Sequence, residues 1–276
     1  MKNFLSNCLI FLLVFAGTVI LGWSFIEEPV MQYLTHVEVV PEEFEANLAY
    51  ATEHAEFDME AITAVGWAGL LPYINEEVSP VGEIIIPSVE IHLPLLHGAT
   101  DANMSLGVGT LFPDRRMGTG NFALASHWMP QPGLLFASLS QVEMGDMIFL
   151  RDAHYVYAYE IFENKEVDVY RVDVIDDVED RAIVTLVTCT PDMIRRVIVQ
   201  GELVEQISIE ELLSADGTET ANTITEVVDL TEVIEILEPV VVAFPTLEVA
   251  AVGMGAFSFA SLVILIASRS IKRQKR

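Results

Sequence analysis

Two cysteines in 276 residues are too few for a disulfide scaffold, and Cys8 stands inside an uncharged apolar stretch. An ordinary intradomain bridge to Cys189 is therefore excluded, which leaves a lone thiol in the polar part of the chain. Positive charge is scarce too: 14 Lys and Arg stand against 41 Asp and Glu, a formal charge of −27. Residues 27–248 hold 8 of the basic residues against all 41 acidic ones, a charge of −33. Nucleic acid is excluded as a partner, because phosphate binding needs a basic face. Acid spread so widely reads as a solvated surface that keeps an exported domain soluble. No internal repeat is present.

Long apolar runs occur only at the two ends. Phe4 to Ile26 carries no charge and is long enough to cross a hydrocarbon core of roughly 30 Å as a helix. The run continues through Val19-Ile20-Leu21-Gly22-Trp23 without a small-residue cleavage site, which favours an uncleaved anchor over a signal peptide. Val249 to Ala267 is a second apolar run, followed by Arg269, Lys272, Arg273, Lys275 and Arg276. With Lys2 before the first run, the positive-inside rule puts both termini in the cytoplasm and the intervening segment outside.

Between the ends the texture changes several times. Phe44, Leu48, Ala51 and Ala55 fall at helical intervals, so residues 27–80 are expected to form a juxtamembrane helical arm. From Val81 the pattern turns to short β-branched runs bounded by Pro. Strands are expected at 84–86, 89–94, 122–126, 147–150, 154–163, 165–170, 182–188 and 196–202, enough for a closed or nearly closed barrel over 81–204. Residues 205–248 read as an acidic linker or tether, with the small polar stretch Ser214 to Thr225 followed by Val227, Leu230, Ile234 and Leu237 at helical spacing. The expected organisation is thus an anchor at 1–26, an arm at 27–80, a catalytic barrel at 81–204, a tether at 205–248, and a second span with its basic tail at 249–276.

Three side chains point to chemistry. Thr185-Leu186-Val187-Thr188-Cys189 ends a β-patterned run in the lone thiol, and Arg195-Arg196-Val197-Ile198-Val199 opens the next. A guanidinium beside a thiol favours the thiolate and offers donors to an oxygen developing negative charge. Sixty-two residues before Cys189, Asn121-Phe122-Ala123-Leu124-Ala125-Ser126-His127 ends another strand-like run in a histidine, a source of the proton that a departing amine needs. His precedes Cys here, the reverse of a papain-like peptidase. Period 2 alone leaves Arg195 and Arg196 both open. His92, His97 and His154 have no motif around them and read as structural or exposed.

At these words the chain resembles the sortases, most closely those of class A. The resemblance covers about residues 57–204, through Phe57-Asp58-Met59-Glu60, Leu93-Pro94, Gly107-Val108-Gly109-Thr110, Asn121 to His127, Gly145-Asp146, Val172 to Asp177, Thr185 to Cys189 and Arg196 to Gly201. It implies a mainly β fold, an eight-stranded sortase-type barrel, here with an N-terminal helical arm and a transmembrane helix at each end. It also implies a cysteine transpeptidase that cuts a Leu-Pro-any-Thr-Gly sorting signal between Thr and Gly. The acyl group then passes from a Cys thioester to an amine. Implied partners are surface proteins carrying the signal, an amine acceptor such as a lipid II peptide or a pilin lysine, and the membrane.

The family pattern of Arg, apolar triplet and Gly selects Arg196 with Cys189 and His127, and leaves Arg195 as a solvated rim charge. Ala125, Ser126, Val187 and Thr188 flank the pair as candidates for the peptide groove. Some class A sortases bind calcium through acids in the loop that holds Asp173, Asp176, Asp177, Glu179 and Asp180; on so acidic a chain these read as solvated charge, and no metal or cofactor is assigned. Thr190-Pro191 and the second span are similar to class C pilin polymerases, whose lids commonly carry Asp-Pro-aromatic; Asp-Pro does not occur here.

Overall fold

The computed structural model describes residues 37–57, 67–74, 76–131 and 133–210, together with residues 10, 12–17 and 35. Residues 12–17 are helical, and the rest of both expected spans, part of the arm, the stretch 214–225 and the repeat at 227–237 lie outside the described residues. Among the described residues no helix is long and apolar enough to cross a membrane.

Eight strands close into one barrel: β1 (Pro80–Ile86), β2 (Ile91–Leu96), β3 (Val108–Thr110), β4 (Gly120–Ala125), β5 (Met147–Arg151), β6 (Tyr155–Asp168), β7 (Ala182–Cys189) and β8 (Arg195–Ser208). Around the barrel they run β1-β2-β3-β4-β7-β8-β6-β5, with β5 returning to β1. The β2–β3 and β4–β7 pairs are parallel and the rest antiparallel. Closure leaves no open edge to recruit a foreign strand.

The expected number of strands is present, but two of them are assigned differently. Runs 154–163 and 165–170 belong to one strand, because β6 pairs continuously with β8 from Tyr155↔Ser208 to Asp168↔Arg195. A register shift between Ile161 and Glu163 absorbs the break in alternation, so the irregularity is a bulge within a strand. The strand not anticipated is β3, three residues around Gly109 with too little β-branched pattern to register. β8 also runs four residues past 204, where Ile207 is buried against Val156 and Phe149 on the outer surface.

Alternation sorts the side chains into two layers. Phe122 and Leu124 of β4, Val184 and Leu186 of β7, and Val197 and Val199 of β8 fill the barrel with Ile84, Ile86, Phe136 and Tyr159. Their neighbours in sequence, Ala123, Ala125, Val187 and Ile198, face outward into a second apolar cluster with Met104, Leu111, Val167 and Ile175. Period 2 produces both layers from the same strands.

Within 27–80 the longest described helix is α1 (Phe44–His54), shorter than the spacing of apolar residues suggested, and a single helical turn follows at Trp67–Leu70. Ala55 turns extended at φ −68° and ψ 140°, and Phe57 then bridges to Ala99. α1 lies against β1: Phe44 is buried, Ala51 packs on the core, and Asn47 Nδ2 donates to Pro80 O at 2.8 Å.

Candidate active site

The β4–β7 pair keeps a constant offset from Gly120↔Ala182 to Ala125↔Val187. Pairing persists one step further, since Ser126 N donates to Val187 O at 3.2 Å and Thr188 Oγ1 donates to Ser126 O at 2.9 Å. The same offset brings His127 beside Cys189. On the other side of β7, Cys189 is the direct cross-strand partner of Arg196. Residues 127, 189 and 196 therefore form a row across three neighbouring strand ends.

Strand parity puts that row outside the barrel lumen. Cys189 shares a face with Val187, and Arg196 with Ile198, both in the outer apolar cluster. Arg195 belongs to the opposite face and pairs with Glu166, Nη2 to Oε2 at 2.6 Å, both side chains about half exposed. Register thus sets Arg196 opposite Cys189 and Arg195 on the other face of the strand.

Cys189 and His127 are each only 1% exposed. Burial pushes the Cys189 thiol above its ordinary range, and the Arg196 guanidinium pulls in the opposite direction. The His127 Nε2 atom lies 3.9 Å from Asp101 Oδ1. Cys189 and Arg195 are joined by a tight turn: Arg195 N donates to Thr190 Oγ1 at 3.0 Å, and Ile194 N donates to Asp192 Oδ1 at 3.1 Å. The Thr190 hydroxyl on Asp192, followed by the Ile194 N–H, holds that carboxyl below its usual range, and together these bonds close the turn between Cys189 and Arg196.

The four groove candidates divide into two pairs. Ala125 and Val187 belong to the outer apolar cluster, on the strand face that the row shares, whereas Ser126 and Thr188 spend their hydroxyls inside the protein. Ser126 Oγ donates to Gly107 O at 2.7 Å, and Thr188 Oγ1 to Ser126 O. Of the other histidines, His92 meets Glu83 at 2.8 Å, His97 lies 3.2 Å from Thr110 Oγ1, and His154 is largely exposed.

The 169–181 loop is tied down by groups the sequence did not single out. Asn121 is buried and gives Nδ2 to Val174 O and Asp176 O at 3.2 and 2.8 Å, while its Oδ1 accepts from Thr185 at 2.7 Å. Arg115 lies over the Phe112 ring at 3.6 Å and donates to Asn121 O and Ile175 O. A cavity of about 610 Å³ opens beside them, lined by Phe112, Arg115, Thr119, Asp177 and Glu179, apart from the row. Among the described residues no three His, Cys, Asp or Glu side chains group so as to hold a metal ion.

A closed barrel with a buried thiol facing an arginine at its strand ends is the frame of a cysteine acyl-transfer enzyme. A family model described as the sortase domain matches residues 84–204, and the chain belongs to the sortase family of cysteine transpeptidases, which act on surface proteins bearing a sorting signal. Sortase A of Listeria monocytogenes is 30% identical over 206 residues, 72% of this chain and 91% of that protein. Sortase A of Streptococcus agalactiae is 40% identical over 129 residues, 45% of this chain and 52% of that protein. The crystal structure of Listeria monocytogenes sortase A shares 34% identity, covers 52% of this chain and 95% of its own, and superposes with a TM-score of 0.46.

Proposed function

We propose that this protein is a membrane-anchored sortase of class A type that cleaves a Leu-Pro-any-Thr-Gly-like signal between Thr and Gly and transfers the protein to an amine of a cell-wall precursor. The observation that carries this reading is the cross-strand pairing of Cys189 with Arg196, with His127 in register on the third strand. Cys189 Sγ attacks the Thr carbonyl carbon as thiolate, and Arg196 donates to the oxyanion that forms. His127, as imidazolium, gives its proton to the departing Gly amine as the C–N bond breaks, leaving a thioester. An acceptor amine then attacks the thioester carbon, His127 takes the amine's proton, and the Cys189 thiolate leaves. Val187 and Ala125 form the floor of the peptide groove.

Both termini lie in the cytoplasm and the barrel outside, with spans at 4–26 and 249–267 and the 205–248 segment as a tether. External protease on intact cells should remove barrel epitopes and spare tags at both ends; loss of either tag contradicts this topology. A second reading, a class C-like pilin polymerase with a pilin lysine as acceptor, is favoured by Thr190-Pro191 directly after the thiol.

The purified full-length protein, given a panel of sorting peptides and amines, tests the assignment. Amine-dependent transpeptidation through a mass-detectable acyl adduct on Cys189 is the expected outcome. Product formed without amine dependence, or an adduct elsewhere, overturns it. A pilin lysine peptide outcompeting cell-wall amines selects the polymerase reading.

A further inference from the structure

Asp101 reaches the row of residues 127, 189 and 196 from a separate element, α2 (Asp101–Leu106). That helix is pinned to the end of β4. His127 N donates to Met104 O at 3.4 Å, and Ser126 Oγ donates to Met104 O at 3.3 Å and to Gly107 O at 2.7 Å. Asp101 stands one turn before Met104, on the neighbouring surface of the helix. The start of α2 is fixed in turn: Thr100 Oγ1 accepts from Asn103 N at 3.1 Å, and Asn103 Nδ2 donates to His97 O and Gly98 O at 3.2 and 3.0 Å.

This frame directs Asp101 Oδ1 at His127 Nε2, 3.9 Å away. The separation is too long for a hydrogen bond but within reach of a charge pair. The Asp101 side chain is 45% exposed and the imidazole 0%. Even so, Oδ1 itself is shielded from water and has no hydrogen-bond partner among the described residues. A carboxylate oxygen that gives up its hydration is compensated by a hydrogen-bond donor or a cation, and His127 Nε2 is the polar atom it meets here.

The other charges around His127 make the same demand. Cys189 adjoins it on β7, and Arg196 lies one strand further on β8. The segment that follows His127, residues 128–138, contains no titratable side chain. Arg196 opposes a second cation in this row, and Asp101, with Oδ1 3.9 Å from Nε2, is the anion that compensates it.

We propose that Asp101 is a positioning residue that holds the His127 ring with Nε2 toward α2 and keeps it in the cationic form, leaving Nδ1 for the reacting centre. The acid that protonates the departing amine is then loaded before the peptide arrives. This rests on the role assigned to His127 above, and the test separates the two.

Full-length protein in detergent micelles, labelled with ¹³C at histidine Cε1, reports the His127 titration directly, with His127→Gln assigning the resonance. In Asp101→Asn the midpoint should fall by about one pH unit, because an opposing charge at this distance favours the protonated ring by roughly that much. Asp101→Glu should restore most of the shift. The alkaline limb of kcat/KM for sorting-peptide cleavage should move down with it. An unmoved midpoint in Asp101→Asn overturns the proposal, even if activity falls, since that result marks a merely structural carboxylate. A lowered midpoint with an unmoved rate profile upholds the pairing and removes His127 from the acid role.

Discussion

Cys189 and Arg196 are directly opposed on the β7–β8 ladder, and the turn between them is closed by hydrogen bonds from the Arg195 and Ile194 N–H groups to the Thr190 and Asp192 side chains. A guanidinium held at that separation meets charge on the thiol or on an oxygen bound beside it without rearrangement. Arg196→Ala should therefore lower kcat/KM about 100- to 1,000-fold, the loss typical of removing one oxyanion donor. Arg195→Ala should change it by no more than about threefold, because its exposed pairing with Glu166 contributes little. Steady-state kinetics on sorting peptides compare the two, and equal losses refute the division of labour.

The thiol's environment has a consequence for pH. Cys189 titrates above the ordinary thiol range, since burial outweighs the pull of Arg196. At neutral pH the protein should hold Cys189 mostly as thiol and alkylate more slowly than a free cysteine, with the rate rising as pH passes the usual thiol range. Arg196→Gln removes an influence that favours thiolate and should slow alkylation further at any fixed pH below the midpoint. Iodoacetamide labelling followed by mass spectrometry of the Cys189 peptide reads both effects. Faster labelling in Arg196→Gln is the result incompatible with this account.

Asn121 offers a test of the loop. Its side chain satisfies two loop carbonyls and the Thr185 hydroxyl while itself buried. Asn121→Ala takes the side-chain donor from Asp176 O and the acceptor from the Thr185 hydroxyl, and should cost about 2 kcal/mol. Thermal unfolding should report the loss, and proteolysis should cut between Val172 and Arg181 sooner than in the parent. Unchanged protection would show that Arg115, Gln200 and the Asn121 backbone hold the loop without that side chain.

Local patterning disclosed more than topology did. The runs around Ile84, Phe122, Val184 and Val197 alternate cleanly because each strand has one face in the lumen, and they emerge as strands with near-correct ends. β3 was not legible, since Val108-Gly109-Thr110 is held by its neighbours rather than by its own propensity. The division at residue 164 was misread because a bulge and a chain break look alike in one dimension. Cys189, His127 and Arg196 stood out as motif words. Asp101 did not, because its approach to His127 depends on where Met104 docks, a contact no spacing encodes.

The groove candidates separate by one reciprocal pair of near-isosteric swaps. Thr188→Val removes the hydroxyl that serves Ser126 O and should cost about 1–2 kcal/mol, a Tm drop on the order of 2–8 °C, with KM within about twofold. Val187→Thr keeps the shape of the outward-facing floor but puts a hydroxyl against the apolar residues of a bound peptide. Its KM should rise about fivefold, the scale of roughly 1 kcal/mol lost in an apolar pocket. The two variants should thus differ, because period 2 turns Thr188 inward to the ladder and Val187 outward into the second apolar cluster. Calorimetry and peptide kinetics on the two variants decide the matter, and a Thr188→Val protein with raised KM and an unshifted Tm would place that hydroxyl in the groove instead.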